Sequence, residues 1–303
     1  MMLTLALSSR TLFDLDEAHN IFLSEGLTAY RDYQLAREEE PLEPGVAFPL
    51  VHKLLNIQHP ESGEYLVEVV LVSRNNGDTG LRIFNSIEHH GLNISRAVFS
   101  NGGSPYDYLP ALGVELFLSA HNSDVIGAIK AGHAAAHLMT RKSIKSDDPQ
   151  VRIAFDGDAV IFSDESEQIY QSGGLEAFRQ NEHDLRNQPL TPGPFGAFLK
   201  KLHDLQSMFP PGEAPIRTAL VTARSAPSHK RVILTLRSWG LRIDEALFLG
   251  GQDKSDFLKS FRADIFFEDQ LTYVKTASEH TATGHVPYGV TNNQNIKNKQ
   301  NHE

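Results

Sequence analysis

The stretch Arg152-Ile153-Ala154-Phe155-Asp156-Gly157-Asp158-Ala159-Val160-Ile161-Phe162 decides how this chain is read. An apolar run leads straight into two carboxylates one residue apart. In an extended chain, alternation sends Asp156 and Asp158 to the same face. A run of this kind reads as a buried strand. At its C-terminal end the acids would open into the crevice where α/β sheets hold their ligands. One carboxylate can attack as a nucleophile while the other moves a proton, and together they can hold a divalent cation.

Working outward, the chain reads as two copies of one pattern. Glu40-Pro41-Leu42-Glu43-Pro44-Gly45 returns as Gln188-Pro189-Leu190-Thr191-Pro192-Gly193, each ahead of a helix-like stretch. Leu71-Val72-Ser73-Arg74 returns as Leu220-Val221-Thr222-Ala223-Arg224, and Ala97 to Gly103 returns as Ala246 to Gly251. Phe13-Asp14-Leu15-Asp16 is aligned with Phe155-Asp156-Gly157-Asp158. The order is kept throughout, at a separation of roughly 142 to 149 residues. Short β-rich runs alternate with helical patterns, which implies mainly parallel sheets covered by helices. The expected architecture is therefore α/β, with two tandem units at 1–145 and 150–290. The seam falls in the polar segment Arg141 to Pro149, and the Asn/Gln/Lys-rich tail 291–303 is expected to be disordered.

Composition narrows the function. Cysteine is absent from all 303 residues, which removes disulfides, thiolate catalysis and cysteine zinc sites and fits a cytoplasmic protein. A formal charge of −10 disfavours nucleic acid and anionic membrane surfaces as partners. No apolar run is long enough to span a membrane, and Met1 to Leu7 reads as a first strand. His133 and His137, four apart on an expected helix, lack the other ligands of a zinc site. Further assembly of the chain into homo-oligomers is left open.

The Asp156-Gly157-Asp158-Ala159-Val160 run resembles the first motif of the haloacid dehalogenase superfamily of phosphotransferases, Asp-x-Asp-x-(Thr/Val). Three downstream elements follow in that superfamily's order. Pro215 to Ala223 is an apolar strand closed by Thr222, the second motif, which with Ala223 and Arg224 would hold the substrate phosphate. Lys254, after the turn at Gly250-Gly251, fits the third. Ala263 to Gln270, a buried strand ending in Glu268 and Asp269, fits the fourth and would complete a metal site with Asp156 and Asp158, the latter through its backbone carbonyl. Hard oxygen ligands suit Mg²⁺. The resemblance implies Rossmann-like units, with Asp156 as nucleophile, Asp158 as acid and base, and Lys254 as the steadying cation. In the first copy, Ser104 or Pro105 stands at the lysine position, and Ser119 and Ala120 at the metal acids. That unit is expected to be degenerate and non-catalytic. Asp164 to Arg186 is expected to form a small helical cap on the C-terminal unit.

Longer runs are more specific. Ala154 to Val160, Phe162-Ser163-Asp164-Glu165-Ser166, Leu220 to Ala226, Leu236-Arg237-Ser238-Trp239-Gly240-Leu241, Ser8 to Phe13 and His285-Val286-Pro287-Tyr288-Gly289-Val290 resemble the cytosolic 5′-nucleotidase type I family over about residues 3–290. That resemblance implies Mg²⁺-dependent hydrolysis of nucleoside 5′-monophosphates such as AMP, IMP or deoxynucleotides. Glu268 departs from the second aspartate common there. The alternatives are a sugar-phosphate or general phosphatase and a non-enzymatic nucleotide sensor.

Overall fold

The computed structural model describes residues 2–139 and 148–293. The expected seam lies largely outside them, with Asp148 and Pro149 alone described. The first half supplies β1 (Leu3–Leu7), β2 (Val67–Ser73), β3 (Arg96–Phe99), β4 (Leu116–Ser119) and β5 (Ala135–Leu138). The second supplies β6 (Val151–Phe155), β7 (Ile216–Thr222), β8 (Glu245–Phe248), β9 (Ile265–Glu268) and β10 (Ala282–His285). Runs such as Val-Glu-Val-Val-Leu-Val-Ser in β2 are apolar on both faces, as strands covered on both sides must be.

The strands form one sheet in the order β3-β2-β1-β4-β5-β10-β9-β6-β7-β8. Neighbours are parallel except at the centre, where β5 and β10 are antiparallel, with His137 opposite His285. Outward from that seam, each half repeats one strand order: fifth, fourth, first, second, third.

Helices α1 (Ser9–Leu12), α2 (Asp16–Glu25), α3 (Leu27–Ala36), α4 (Phe48–Leu55), α5 (Gly77–His89), α6 (Leu109–Leu112) and α7 (Asn122–Lys130) belong to the first half. Helices α8 (Glu165–Asp184), α9 (Gly196–Gln206), α10 (His229–Ser238), α11 (Ser255–Phe261) and α12 (Leu271–Ala277) belong to the second. The helices α4 and α9 are exchanged in part: α4, which packs on β2 of its own half, also packs on β6, and α9 packs on β1. One apolar core, including Leu5, Leu50, Leu54, Phe155, Leu199 and Leu202, therefore runs through both halves. Each exchanged helix also sends a lysine across. Lys53 Nζ lies 2.7 Å from Asp264 Oδ1, and Lys201 Nζ lies 3.3 Å from Glu115 Oε1. His133 and His137 do not share a helix, because Ala135 to Leu138 are strand.

Matching hydrogen bonds fix the register between the halves. Ser8 N–H donates to Leu118 O as Asp156 N–H donates to Phe267 O, and Gly45 N–H donates to Leu12 O as Gly193 N–H donates to Ile161 O. Ser8 thus stands where Asp156 stands, and Phe13 stands where Phe162 stands. The alignment of Phe13–Asp16 with Phe155–Asp158 is incorrect. An apolar-Asp-x-Asp pattern recurs there by composition, whereas β1 ends before it, at Leu7. The first half carries a helical pair that matches α8. Gly26, φ 87°, breaks the chain between α2 and α3, as Gly174, φ 70°, breaks α8. Both Pro-x-x-Pro-Gly motifs end in a glycine for the same reason. A Cβ on Gly45 would lie 2.8 Å from the Phe13 backbone, and one on Gly193 2.3 Å from Phe162 O. The start of the expected disordered tail is ordered: Thr291 to Asn293 are helical, and Asn292 is buried. The remainder of the tail lies outside the described residues.

Candidate active site

The β6 strand lies between β7 and β9, all parallel, so three strand ends open together. Asp156 follows the end of β6, Thr222 closes β7, and Glu268 closes β9 with Asp269 next. Lys254, at the start of α11, reaches in from the side. Its Nζ donates to Asp156 Oδ1 at 2.7 Å and to Glu268 Oε2 at 2.6 Å. The ammonium also lies 5.0 Å from the Tyr273 ring centre. All four charged groups are at most 6% exposed.

Charge in this cluster is unbalanced: three carboxylates face one ammonium. Carboxylate oxygens of Asp156, Glu268 and Asp269 lie within 4.8 Å of one another. Burial, opposed by the charge of Lys254, pushes the Asp156 carboxyl up to about 7. Burial, with the charges of Glu268 and Asp156, pushes Asp269 well above the ordinary carboxylate range. For Lys254 the cost of burial is outweighed by Asp156 and Glu268, so it is held firmly protonated. A hard cation fits such a site, because it offsets the excess negative charge with oxygen donors alone. Glu268 is the more committed acid. Its Oε2 accepts from Lys254, and its Oε1 accepts from the Gln270 N–H at 3.0 Å.

Asp158 is not part of this cluster. The chain leaves the extended conformation after Phe155 and turns tightly through Gly157–Ile161, with Ala159 at φ 60°. Strand alternation therefore stops at Asp156, and Asp158 turns to Arg224. The guanidinium grips it at both ends, Nε to Oδ2 at 2.8 Å and Nη2 to Oδ1 at 2.7 Å. Arg224, expected at the substrate phosphate, is 4% exposed and fully engaged. Its Nη1 donates to Glu182 Oε2 at 2.5 Å, and its Nη2 also donates to Ser166 Oγ. Arg231 holds the other oxygen of Glu182 at 3.0 Å and reaches Glu165 at 2.8 Å. Thr222 is buried, accepts the Arg224 backbone N–H on Oγ1, and lies against Gly157, where a Cβ would sit 3.3 Å from that oxygen. Ala223 is exposed at the strand end.

Sequence reasoning missed Glu182, Arg231 and Ser166, which fasten the cap helix α8 to the strand ends. It also missed the brace under Asp269: His285 Nε2 and Asn292 Nδ2 contact the Asp269 carbonyl at 3.0 and 2.9 Å. The run His285 to Val290 carried the available signal. Its Val290 N–H donates to Asp164 at the foot of the cap.

A family model described as 5′-nucleotidase matches residues 1–293. The chain is 41% identical over 287 residues to the human protein named cytosolic 5′-nucleotidase 1B, covering 91% of this chain and 47% of that protein. The chain thus spans about half the length of that curated relative. Among solved structures, histidinol dehydrogenase from Elizabethkingia anophelis aligns at 9% identity and a TM-score of 0.24, covering 74% of this chain and 46% of that one, too little overlap to inform the fold. No described helix is long and apolar enough to cross a membrane.

Proposed function

The chain belongs to the 5′-nucleotidase family, and from that premise we propose that it hydrolyses nucleoside 5′-monophosphates (AMP, IMP or deoxynucleotides) to nucleoside and phosphate. The observation that carries the reading is the ammonium of Lys254, held between Asp156 and Glu268 beside Asp269 where three parallel strands end.

Asp156, Asp269 and the Asp158 carbonyl would hold the cation, Mg²⁺ by its preference for hard oxygen donors, with Glu268 orienting the site from Lys254 and the Gln270 N–H. When bound, that ion supplies positive charge to the phosphate oxygens. Asp156 attacks phosphorus, the P–O bond to the 5′ oxygen breaks, and an aspartyl phosphate forms. Asp158 gives the departing alkoxide its proton, then takes one from the water that cleaves the aspartyl phosphate. Lys254 keeps its proton throughout and offsets the repulsion between Asp156 and the incoming phosphate. Thr222 and the adjacent backbone N–H groups would bind phosphate oxygens. Arg224 serves by orienting Asp158.

In the degenerate first half, Ser8, Ser119 and Ala120 stand in place of Asp156, Glu268 and Asp269, and hydrolysis is assigned to the second half alone.

The test is phosphate release from a panel of nucleoside 5′-monophosphates, with Mg²⁺ and with EDTA, for the wild type and Asp156→Asn. Release that requires both Mg²⁺ and Asp156 is expected. Activity on sugar phosphates alone would move the protein to the general phosphatases, and no release from any ester would favour a nucleotide sensor.

A further inference from the structure

We propose that the first half carries a metal-independent site for a phosphate-class anion, built at the position where the second half holds Asp158 and Arg224. The register of the two halves identifies the residues. Asn75 N–H donates to Ser73 Oγ as Arg224 N–H donates to Thr222 Oγ1, so Asn75 stands for Arg224. Ser8 stands for Asp156. The Ser9 hydroxyl meets Ser73 Oγ at 3.1 Å, where Gly157 meets Thr222, so Ser9 stands for Gly157 and Arg10 for Asp158.

In the second half this pair satisfies itself, carboxylate to guanidinium. In the first half both positions hold donors. Arg10 Nε and Asn75 Nδ2 are each buried, and neither has a hydrogen-bond partner among the described residues. The Asn75 amide is oriented by Tyr30, whose hydroxyl donates to its Oδ1 at 2.9 Å, leaving Nδ2 as the group without a partner. Two buried donors without an acceptor are costly, and the missing group is one that accepts hydrogen bonds.

The surroundings favour a negative charge. Arg10 lies close enough to His19 and His121 to help depress both imidazoles, for which burial is the larger cause. Those two rings are 6.4 Å apart. The Ser9 and Ser73 hydroxyls share one hydrogen bond, which leaves one O–H of the pair as a further donor. Two acids lie nearby, and both are spoken for. Asp16 pairs with Arg10 Nη2 at 2.9 Å, leaving Nε free, and Asp124 pairs with Arg74. None of the carboxylates that would recruit a cation in the second half has a counterpart here. Guanidinium, amide and hydroxyl donors suit the oxygens of a phosphate, free or esterified.

The test measures binding of radiolabelled inorganic phosphate to the full chain in EDTA by equilibrium dialysis. It uses neither catalysis nor metal, so its outcome is separate from that of the hydrolysis assay. One saturable site per chain is expected. Arg10→Gln should weaken it by about tenfold or more, the loss of one charge-assisted contact. Thr222→Val, in the second half, should leave it unchanged. Asn75→Asp supplies the missing acceptor internally, so it should abolish phosphate binding and raise the melting temperature, which a merely structural role for Asn75 would not produce. Displacement by a nucleoside 5′-monophosphate at lower concentration than by unlabelled phosphate assigns the site to an ester. Equal displacement by phosphate and sulfate assigns it to the free oxyanion. No saturable binding up to about 10 mM, a weak limit for any specific contact, or binding lost in Thr222→Val and kept in Arg10→Gln, overturns the proposal.

Discussion

Arg224 holds both carboxylate oxygens of Asp158, at 2.8 and 2.7 Å, and hands its remaining arm to Glu182 on the cap helix. The group proposed to move the proton is therefore aimed by a side chain that the cap itself fastens. A lysine cannot reproduce a planar two-pronged grip. Arg224→Lys is expected to lower kcat by about 10- to 100-fold, a part of the roughly 10²- to 10⁴-fold that a well-placed proton donor contributes, because Asp158 stays but loses its aim. KM should move little, and steady-state kinetics on the preferred nucleotide read that split. A large rise in KM with kcat kept would instead return Arg224 to the phosphate.

Glu182 sits fully buried between two guanidinium groups. Removing it leaves two buried cations facing each other. Glu182→Ala should cost about 3–5 kcal/mol of stability, the usual penalty for breaking a buried ionic cluster. Chemical denaturation of the metal-free protein measures it.

Lys254 is the one cation among three buried acids. Lys254→Met is expected to destabilise the metal-free protein, since Asp156 and Glu268 then repel each other unopposed. It should also abolish phosphate release. Thermal unfolding in EDTA reads the first effect, and phosphate release with Mg²⁺ reads the second.

Binding of a cation only to the folded cluster raises stability by mass action. At a hundredfold excess over Kd, Mg²⁺ should stabilise the wild type by about 3 kcal/mol. Asp269→Asn should erase most of that shift while leaving the EDTA melting temperature unchanged or higher, because a raised carboxyl has been replaced by a neutral group. An equal Mg²⁺ shift in both proteins would remove Asp269 from the metal site.

His137 is pushed below the usual histidine value by burial, only partly offset by its hydrogen bond to the Ala120 carbonyl. A folded-state value below the unfolded one means that the unfolded chain binds the proton first. Stability then rises with pH across the window just below 6.5 and is lost on acidification. Between about pH 7 and about pH 5.5 the wild type should lose more stability than His137→Gln, whose amide does not titrate in that window. Parallel denaturation curves at the two pH values would refute this.

The strands were legible because apolar runs closed by Asp, Thr or Glu-Asp are what a parallel sheet with a polar crevice requires. Asp156, Lys254, Glu268 and Asp269 could be named from the resemblance of their elements, in order along the chain, to the superfamily's four motifs. Two things could not be read. Strand alternation misplaced Asp158, because the tight turn with Ala159 at positive φ redirects the side chain after Asp156. The internal alignment slipped at Asp14-Leu15-Asp16, because a motif match carries no information about where the strand ends. Glu182, Arg231 and His285 act through contacts between distant segments, and one chain's sequence does not announce such pairs.

The antiparallel β5–β10 seam has a consequence for solubility. Two separate five-stranded sheets would present four open edges, whereas the joined sheet presents two, β3 and β8. Both surviving edges carry charge. Arg96 on β3 pairs with Glu68, and Glu245 on β8 pairs with Arg217. Such charges discourage strand-to-strand association with other molecules. The hidden edges have no such guard: β5 offers Ala-Ala-His-Leu and β10 offers Ala-Thr-Gly-His. Either half expressed alone would expose an unguarded strand, together with the apolar surface that the exchanged helix covers, and would be prone to aggregate.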